Sequence, residues 1–435
     1  MTGRAPHNAG NLRRVPLRRL AATSIVNGAG EAAEDWNDGD YRYIRTTDIA
    51  SLDGLNDAKK AGLPLEKGSG AVLRHDDIVM TAAGATIGKA HHWRSQEKAC
   101  YAGFLVRFRA NTQKCDPRFI AWWTQSQDYS HQVSAGAVRS TIDNFSAGKY
   151  RALQVPLLSL EDQVSRAEYL DHEVPKIDAM IEKQRALVDR LHRRRASVIT
   201  ATVTGQTYVI GGEVTMIANP KLIERRETGL KWLGAIPSEW QLRRLGSLFR
   251  ERKETVSDTD YEPLSVTMQG IVPQMANVAK TMNNDARKLV RSGDFVINSR
   301  SDRKGSGGVA DRDGSVSLIS IVLEPHDIDP RYAHHLLRST AFQEEFYRWG
   351  SGIVADLWST RYQAMSRIQL PLPPHGQQVA IAVYLDNITS KIDALIARSE
   401  RLIELSQERR SALITAAVTG QLNIPSDTAT LEGAA

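Results

Sequence analysis

The sequence predicts an α+β fold of mixed α/β character: two globular domains separated by two long antiparallel, coiled-coil-like helical regions with pseudo-twofold symmetry. Three observations predict it. Residues 156–206 recur, without a gap, at an offset of 215 residues. Both copies carry apolar or small residues at heptad spacing. The blocks between them hold short β-branched and aromatic runs bounded by glycine-rich turns.

The repeat is the firmest of the three. The segment opening PLLSLEDQVSRAEYLDHEVPKIDAM at Pro156 aligns with PLPPHGQQVAIAVYLDNITSKIDAL at Pro371, with 23 identities over 51 positions. Tyr169-Leu170-Asp171 matches Tyr384-Leu385-Asp386, Lys176-Ile177-Asp178-Ala179 matches Lys391-Ile392-Asp393-Ala394, and Val203-Thr204-Gly205-Gln206 matches Val418-Thr419-Gly420-Gln421. Each copy predicts a Pro-rich turn, a short helix near 161–173 or 376–388, and then a longer one. Pro175 and its counterpart Ser390 suit the start of that second helix. From there Ile177, Ile181, Gln184, Val188, Leu191, Arg195, Val198 and Thr202 step by four and three, as do Ile392, Ile396, Ser399, Ile403, Ser406, Arg410, Leu413 and Ala417. Such steps make a coiled-coil seam. Gly205 and Gly420 stand where a C-terminal cap belongs. A helix of about 30 residues would measure ~45 Å.

Weaker echoes frame the other blocks. Leu17-Arg18-Arg19-Leu20 recurs as Leu242-Arg243-Arg244-Leu245, and Asp116-Pro117-Arg118-Phe119 as Asp329-Pro330-Arg331-Tyr332. The expected division is a globular domain over 1–155, a helical spacer over 156–206, a linker over 207–239 leading a second globular domain that ends at 370, a second spacer over 371–424, and a flexible tail over 425–435. Residues 41–46, 78–81, 102–108 and 294–297 look strand-like. Helices are expected after each Asp-Pro-Arg landmark, over 119–132 and 332–349.

Composition narrows the class. The net charge is +6. Residues 1–155 hold 21 Lys and Arg against 15 Asp and Glu, and 207–370 hold 22 against 20. A basic excess in the globular blocks suggests a polyanionic partner. The opening residues hold no apolar run suited to a signal peptide, and no stretch approaches the ~18 apolar residues of a membrane span. Cys100 and Cys115 are too few for a disulfide framework or a thiolate zinc site and are expected to be small buried side chains, so a cytoplasmic location is expected.

The motifs of catalysis are missing or broken. Gly84-Ala85-Thr86-Ile87-Gly88-Lys89 has three residues between its glycines where a phosphate loop has four, and Ala90 follows the lysine. A hairpin turn is the better reading. No Asn/Asp-Pro-Pro-aromatic loop of an amino-methyltransferase occurs. Asp302-Arg303-Lys304 has a nuclease-like Asp-x-Lys tail without a convincing acidic partner upstream. His91-His92 and His334-His335 are adjacent pairs whose side chains diverge. What remains is basic and polar residues on glycine-rich loops: Arg74, Lys89, Arg139, Ser140 and Lys149 in the first block, and Arg300, Arg303, Lys304 and Arg361 in the second. Lys and Arg neutralise phosphates, and Arg and Ser also reach base edges. These nine are the candidate DNA-binding residues.

The chain resembles the specificity (S) subunits of Type I restriction-modification systems over nearly its whole length. The resemblance is carried by the Pro-Leu openings with Gln163 and Gln378 in the helices that follow, by Lys-Ile-Asp at 176–178 and 391–393, by Thr-Gly-Gln at 204–206 and 419–421, and by Trp232-Leu233-Gly234 leading to Ile236-Pro237-Ser238-Glu239-Trp240. Where the second copy reads Pro371-Leu372-Pro373-Pro374, the first departs with Pro156-Leu157-Leu158-Ser159. The resemblance implies that the globular blocks are target recognition domains, each reading one half of a split, asymmetric site on double-stranded DNA. It implies that the helical regions are a spacer that docks two methyltransferase (M) subunits, joined in some systems by restriction/translocase (R) subunits. S-adenosylmethionine and ATP would then bind those partners, and this chain would hold no cofactor and no catalytic residue. The alternative is a coiled-coil scaffold or interaction protein without sequence-specific DNA binding.

Overall fold

A computed structural model of the chain describes residues 12–137, 144–207, 209–210, 215–216, 223–274, 286–352 and 358–424. Arg139, Ser140 and the tail over 425–435 lie outside the described residues. The chain divides into two compact units, Met1–Arg185 with Arg401–Ala435 and Ala186–Glu400.

The first unit is built on a four-stranded antiparallel sheet of β1 (Val26–Asn27), β2 (Asp77–Thr81), β3 (Ala90–Trp93) and β4 (Leu105–Phe108), in the order β1-β4-β2-β3. Of the run expected as one strand over 102–108, only Leu105–Phe108 is strand. Ala99–Tyr101 belongs to a second sheet, and a turn closed by Leu105 N–H on Ala102 O, 2.8 Å, separates it from β4. Phe119, Trp123, Tyr129, Phe145 and Tyr150 are buried with the sheet's apolar face in the larger core cluster. Each such side chain contributes about 1.5–3 kcal/mol on burial. Cys100 and Cys115 are buried free thiols, and burial pushes both up to about 12.

Helix α1 (Leu160–Val203) starts in the first unit and ends in the second. It is one helix, so the break expected at Pro175 is not there. Leu170, Val174, Ile177 and Ile181 are buried on both sides of the proline and hold the helical course through it. Pro175 itself is exposed, so water can satisfy the Asp171 carbonyl that loses its N–H partner.

The second unit repeats the central sheet with β5 (Phe249–Glu251), β6 (Phe295–Asn298), β7 (Gly307–Val309) and β8 (Ser320–Pro325), in the order β5-β8-β6-β7. The topology is that of the first unit, strand for strand. The remaining strands differ. In the first unit Glu34–Asp35, Ala61–Leu63, Tyr41–Ile44 and Ala99–Tyr101 form a sheet with one parallel pair. In the second, Thr255–Val256, Arg287–Val290 and Gly314–Val316 pair antiparallel, beside a hairpin of Leu264–Thr267 and Gly270–Pro273. Within 207–239, Arg225–Glu227 pairs with Ala235–Pro237, and Leu233 and Ile236 enter the core.

Helix α2 (His375–Val418) is also continuous, and Ser390 lies inside it rather than capping a new helix. In each unit the two long helices run antiparallel. In the first, Arg410 Nε donates to Asp178 Oδ1 at 2.7 Å, and Ser406 lies against Met180. In the second, Arg195 Nε meets Asp393 Oδ1 at 2.8 Å, beside Leu191, Ile392 and Ile396. These are the same repeat positions with the helices exchanged. Every seam position expected from the heptad steps is buried or half-buried. Gly205 and Gly420 terminate the helices at φ +72° and +74°, the left-handed conformation of a C-terminal cap.

The register of the flanking strands corrects one echo. Leu17 N–H donates to Leu153 O and Leu245 N–H to Ile368 O, each at 2.8 Å, and both leucines are fully buried. Leu17 therefore corresponds to Leu245, not to Leu242. The Leu-Arg-Arg-Leu match is three residues out of structural register. The helices after the landmarks are likewise each two: Pro117–Trp123 then Gln127–Gly136, and Pro330–Arg338 then Thr340–Arg348. Ser126 and Ser339 start the second of each pair, accepting from Tyr129 N–H and Phe342 N–H at 3.2 Å.

Because Pro175 sits in the interior of a continuous helix, Pro175→Ala is expected to stabilise the chain by about 1–3 kcal/mol, read as a raised midpoint in denaturant. A helix beginning at Pro175 would instead leave stability unchanged or lower it.

Candidate nucleic-acid interface

The two ends of the central strand are built differently. At its start a buried carboxylate fixes the turn. Asp77 accepts from Arg74 N–H at 2.8 Å and from Arg109 Nε and Nη2 at 2.7 and 2.6 Å. Asp294 accepts from Arg291 N–H at 2.8 Å and from Arg252 Nε and Nη2 at 2.8 and 3.1 Å. Arg109 follows β4, whereas Arg252 follows β5, so one carboxylate position is neutralised from two different strands. Breaking such a buried pair on one side costs about 3–5 kcal/mol.

The far end carries the glycine-rich loops. Gly88 and Gly305 occupy the same place in the β2–β3 and β6–β7 connections, at φ +83° and +84°. Gly84–Lys89 is therefore a hairpin tip, as the failed phosphate-loop spacing predicts. Beside each tip runs the segment returning from the landmark helices. Phe145 N–H donates to Ala82 O at 2.8 Å, and Thr360 N–H to Ser299 O at 2.9 Å.

This geometry sorts the candidates. In the second unit Arg300 and Arg361 lie on the two paired segments, and Arg303 and Lys304 on the loop between β6 and β7. All four are exposed at one end of the sheet. Lys304 pairs with Glu344 and lies 5.7 Å from the Tyr347 ring centroid. Arg303 makes a 4.0 Å contact with Asp302 and is 68% exposed. In the first unit Lys89 ends the tip. Lys149 is half-buried, donating from Nζ to Gly136 O at 2.7 Å. Arg74 is exposed but stands at the opposite end of β2, so the structure does not bring it to Lys89.

Sequence reasoning assigned no structural or binding role to two further sets of residues. The first set anchors each globular fold to a long helix. Gln163 Oε1 accepts from Asp116 N–H at 3.1 Å, and Gln378 Oε1 from Asp329 N–H at 2.8 Å. Each aspartate in turn caps its landmark helix: Asp116 Oδ1 accepts from Arg118 N–H at 2.7 Å, and Asp329 Oδ1 from Arg331 N–H at 2.9 Å. Asp171 accepts from Trp122 Nε1 at 2.8 Å, and Asp386 from His335 Nε2 at 2.7 Å. The repeat identities at 171 and 386 were the available signal. The second set is apolar and exposed: Phe104 in the first unit, Leu318 and Ile319 in the second.

The histidines take structural places. Burial pushes His334 down to about 3, so its ring is neutral, and Nδ1 accepts from Val309 N–H at 3.2 Å. His92 Nε2 lies 2.9 Å from Asp76 Oδ1. Among the described residues no group of three or more His, Cys, Asp or Glu is placed to hold a metal ion, and no helix is long and apolar enough to cross a membrane.

No family model matches the chain. Residues over 32% of it are 25% identical, across 143 positions, to the StySPI Type I restriction enzyme specificity subunit of Salmonella potsdam, and that match spans 31% of the relative's length. Among solved structures, the HsdS subunit of Thermoanaerobacter tengcongensis aligns over 95% of this chain and 98% of its own, at 16% identity and a TM-score of 0.53. A chain from a study of complex assembly and conformational transition of the type I R-M system aligns over 95% and 99%, at 15% identity and a TM-score of 0.64. At these identities the likeness is one of fold.

The acid response of the second anchor follows from its carboxylate. Hydrogen bonds from His335, and then from Arg331, outweigh partial burial and hold the Asp386 carboxyl at about 2, below its ordinary 3.8. The folded state therefore binds fewer protons than the unfolded one between these values. The stabilisation is complete above 3.8 and is lost as pH falls toward 2. With Asp386 45% exposed, its worth is on the order of 1 kcal/mol. Asp386→Asn is expected to lose that amount at pH 7 in denaturant titrations, with the gap to the parent closing below about pH 4; a gap that stays constant down to pH 3 contradicts the assignment.

Proposed function

We propose that this chain, which has the fold of Type I restriction-modification specificity subunits, is the DNA-specificity subunit of such a system. Each unit reads one half of a bipartite, asymmetric target on double-stranded DNA. The chain directs methyltransferase and, where present, restriction subunits to that target without catalysing a reaction itself. The observation that carries this reading is the pairing of sameness and difference: two central sheets of one topology, each anchored by a buried glutamine to the same helical frame, with dissimilar loops at the same end of the sheet. A shared frame gives each loop set a fixed place on the duplex, and the dissimilar loops give different half-sites. The exposed Arg300, Arg303 and Arg361 suit phosphate neutralisation and base-edge contact.

The helices also suit partner docking. Outside the seam the long helices expose Met180, Leu402 and Leu405 in the first unit, and Leu395 and Leu187 in the second. Met180 and Leu402 fall at the repeat positions of Leu395 and Leu187 with the helices exchanged, and such matched apolar residues fit two copies of one methyltransferase subunit. S-adenosylmethionine and ATP belong to the partner subunits in this reading.

Co-expression with the cognate methyltransferase subunits is expected to give methylation at one defined bipartite sequence, mapped by sequencing modified bases. Methylation of the same sites without this chain overturns the proposal. Inserting seven residues into each long helix at facing positions, after Ala179 and after Arg409, keeps the heptad register and adds about 10 Å of rise. The tolerated spacer is then expected to grow by about three base pairs with both half-sites unchanged; an altered half-site contradicts the spacer role.

A further inference from the structure

Both central sheets present an apolar side chain at one and the same register position. Thr81 pairs with Leu105, and Asn298 with Ser320. One step beyond each pair the chain makes a turn. Leu105 N–H donates to Ala102 O at 2.8 Å, and Ser320 N–H to Ser317 O at 2.9 Å. The third residue of the first turn is Phe104, 67% exposed, and that of the second is Ile319, 40% exposed, with Leu318 beside it at 48%. Single exposed apolar residues are ordinary on protein surfaces. Two at the same turn position, in units whose loops otherwise diverge, are not explained by chance exposure.

The turn lies at the end of the sheet that carries the basic loops. Ala82 N–H donates to Phe104 O at 2.8 Å, which places the Phe104 backbone beside the start of the hairpin connection that ends at Lys89. In the second unit the neighbouring loop carries Arg300 and Arg303. An apolar point beside a basic loop matches one feature of duplex DNA. The C5-methyl of thymine is the apolar group on the major-groove edge, with phosphates on either side.

We propose that Phe104 in the first unit, and Ile319 with Leu318 in the second, are specificity-determining residues that cover a thymine methyl group in the half-site each unit reads. This rests on the proposed function and names a chemical element of its target. Phe104 carries the stronger form of the proposal, since a phenyl ring covers a methyl group with more area than an isoleucine side chain.

The test uses the reconstituted complex of this chain with its methyltransferase subunits and duplexes of the mapped target in which each thymine in turn is replaced by deoxyuridine. Removing the covered methyl is expected to weaken parent binding about three- to tenfold at one thymine of each half-site. Phe104→Ala is expected to abolish that sensitivity in one half-site, and Ile319→Ala combined with Leu318→Ala to reduce it in the other. Phe104→Leu keeps an apolar contact and retains part of the effect. Half-sites without thymine, no response to deoxyuridine at any position, or effects of base and side chain that multiply independently overturn the inference while leaving the specificity role intact. Loss of subunit assembly in Phe104→Ala also overturns it, because the ring would then face a protein. If the parent complex methylates no defined sequence, the proposed function itself fails and the inference falls with it.

Discussion

A buried side-chain amide joins each globular unit to a long helix, and the architecture depends on that junction. Gln163 and Gln378 are almost fully buried. Each accepts the backbone N–H of a landmark aspartate, and each donates to a carbonyl in its own Pro-rich turn, Leu158 O at 3.0 Å and Pro373 O at 2.9 Å. The N–H at a helix start has no partner within the helix, so without the glutamine a buried donor would stand unsatisfied. The aspartate that receives this support caps the landmark helix, and that helix packs on the sheet. Helix, cap and sheet are thereby fixed to one another in each unit. The departure at Ser159, where the second copy has Pro374, leaves this junction unchanged.

Above that junction the two units part company in a revealing way. Positions serving the anchor keep their role while changing their chemistry. The carboxylates of Asp171 and Asp386 receive an indole N–H in one unit and an imidazole N–H in the other. The carboxylates of Asp77 and Asp294 are neutralised by arginines from different strands. Geometry has been retained where residue identity has not, which is the behaviour expected of a supporting frame. The accessory sheets differ in strand order, and the first unit's holds a parallel pair where the pairs described in the second are antiparallel, a divergence that suits the proposed reading of two different half-sites.

The long helices show how continuity can override a local signal. Proline in a helix interior costs about 3 kcal/mol, and the sequence alone favours a break at Pro175. The four buried apolar residues from Leu170 to Ile181 outweigh it, since each contributes a comparable amount on burial. The reciprocal pairs Asp178–Arg410 and Arg195–Asp393 are half-exposed and add little stability. Their value is registration: a shift of the helices along each other would bring unlike residues opposite one another.

The sequence by itself determined the duplicated plan, the seam positions, the glycine caps and the starts of the landmark helices, because each is a matter of spacing along one chain: periods of three and four, a fixed offset, a recurring Asp-Pro-Arg. It also ranked the glycine-rich loops as the place to look for basic residues. Only the tertiary structure decided which of those residues share an end of the sheet, since strand pairing places Arg74 away from Lys89 and brings Arg300 beside Arg361. It likewise decided that the helices run unbroken through Pro175 and Ser390, that Leu17 corresponds to Leu245, and that Phe104 and Ile319 occupy one position. Those facts depend on hydrogen bonds and burial between segments far apart in the chain, and no local pattern of residues encodes them.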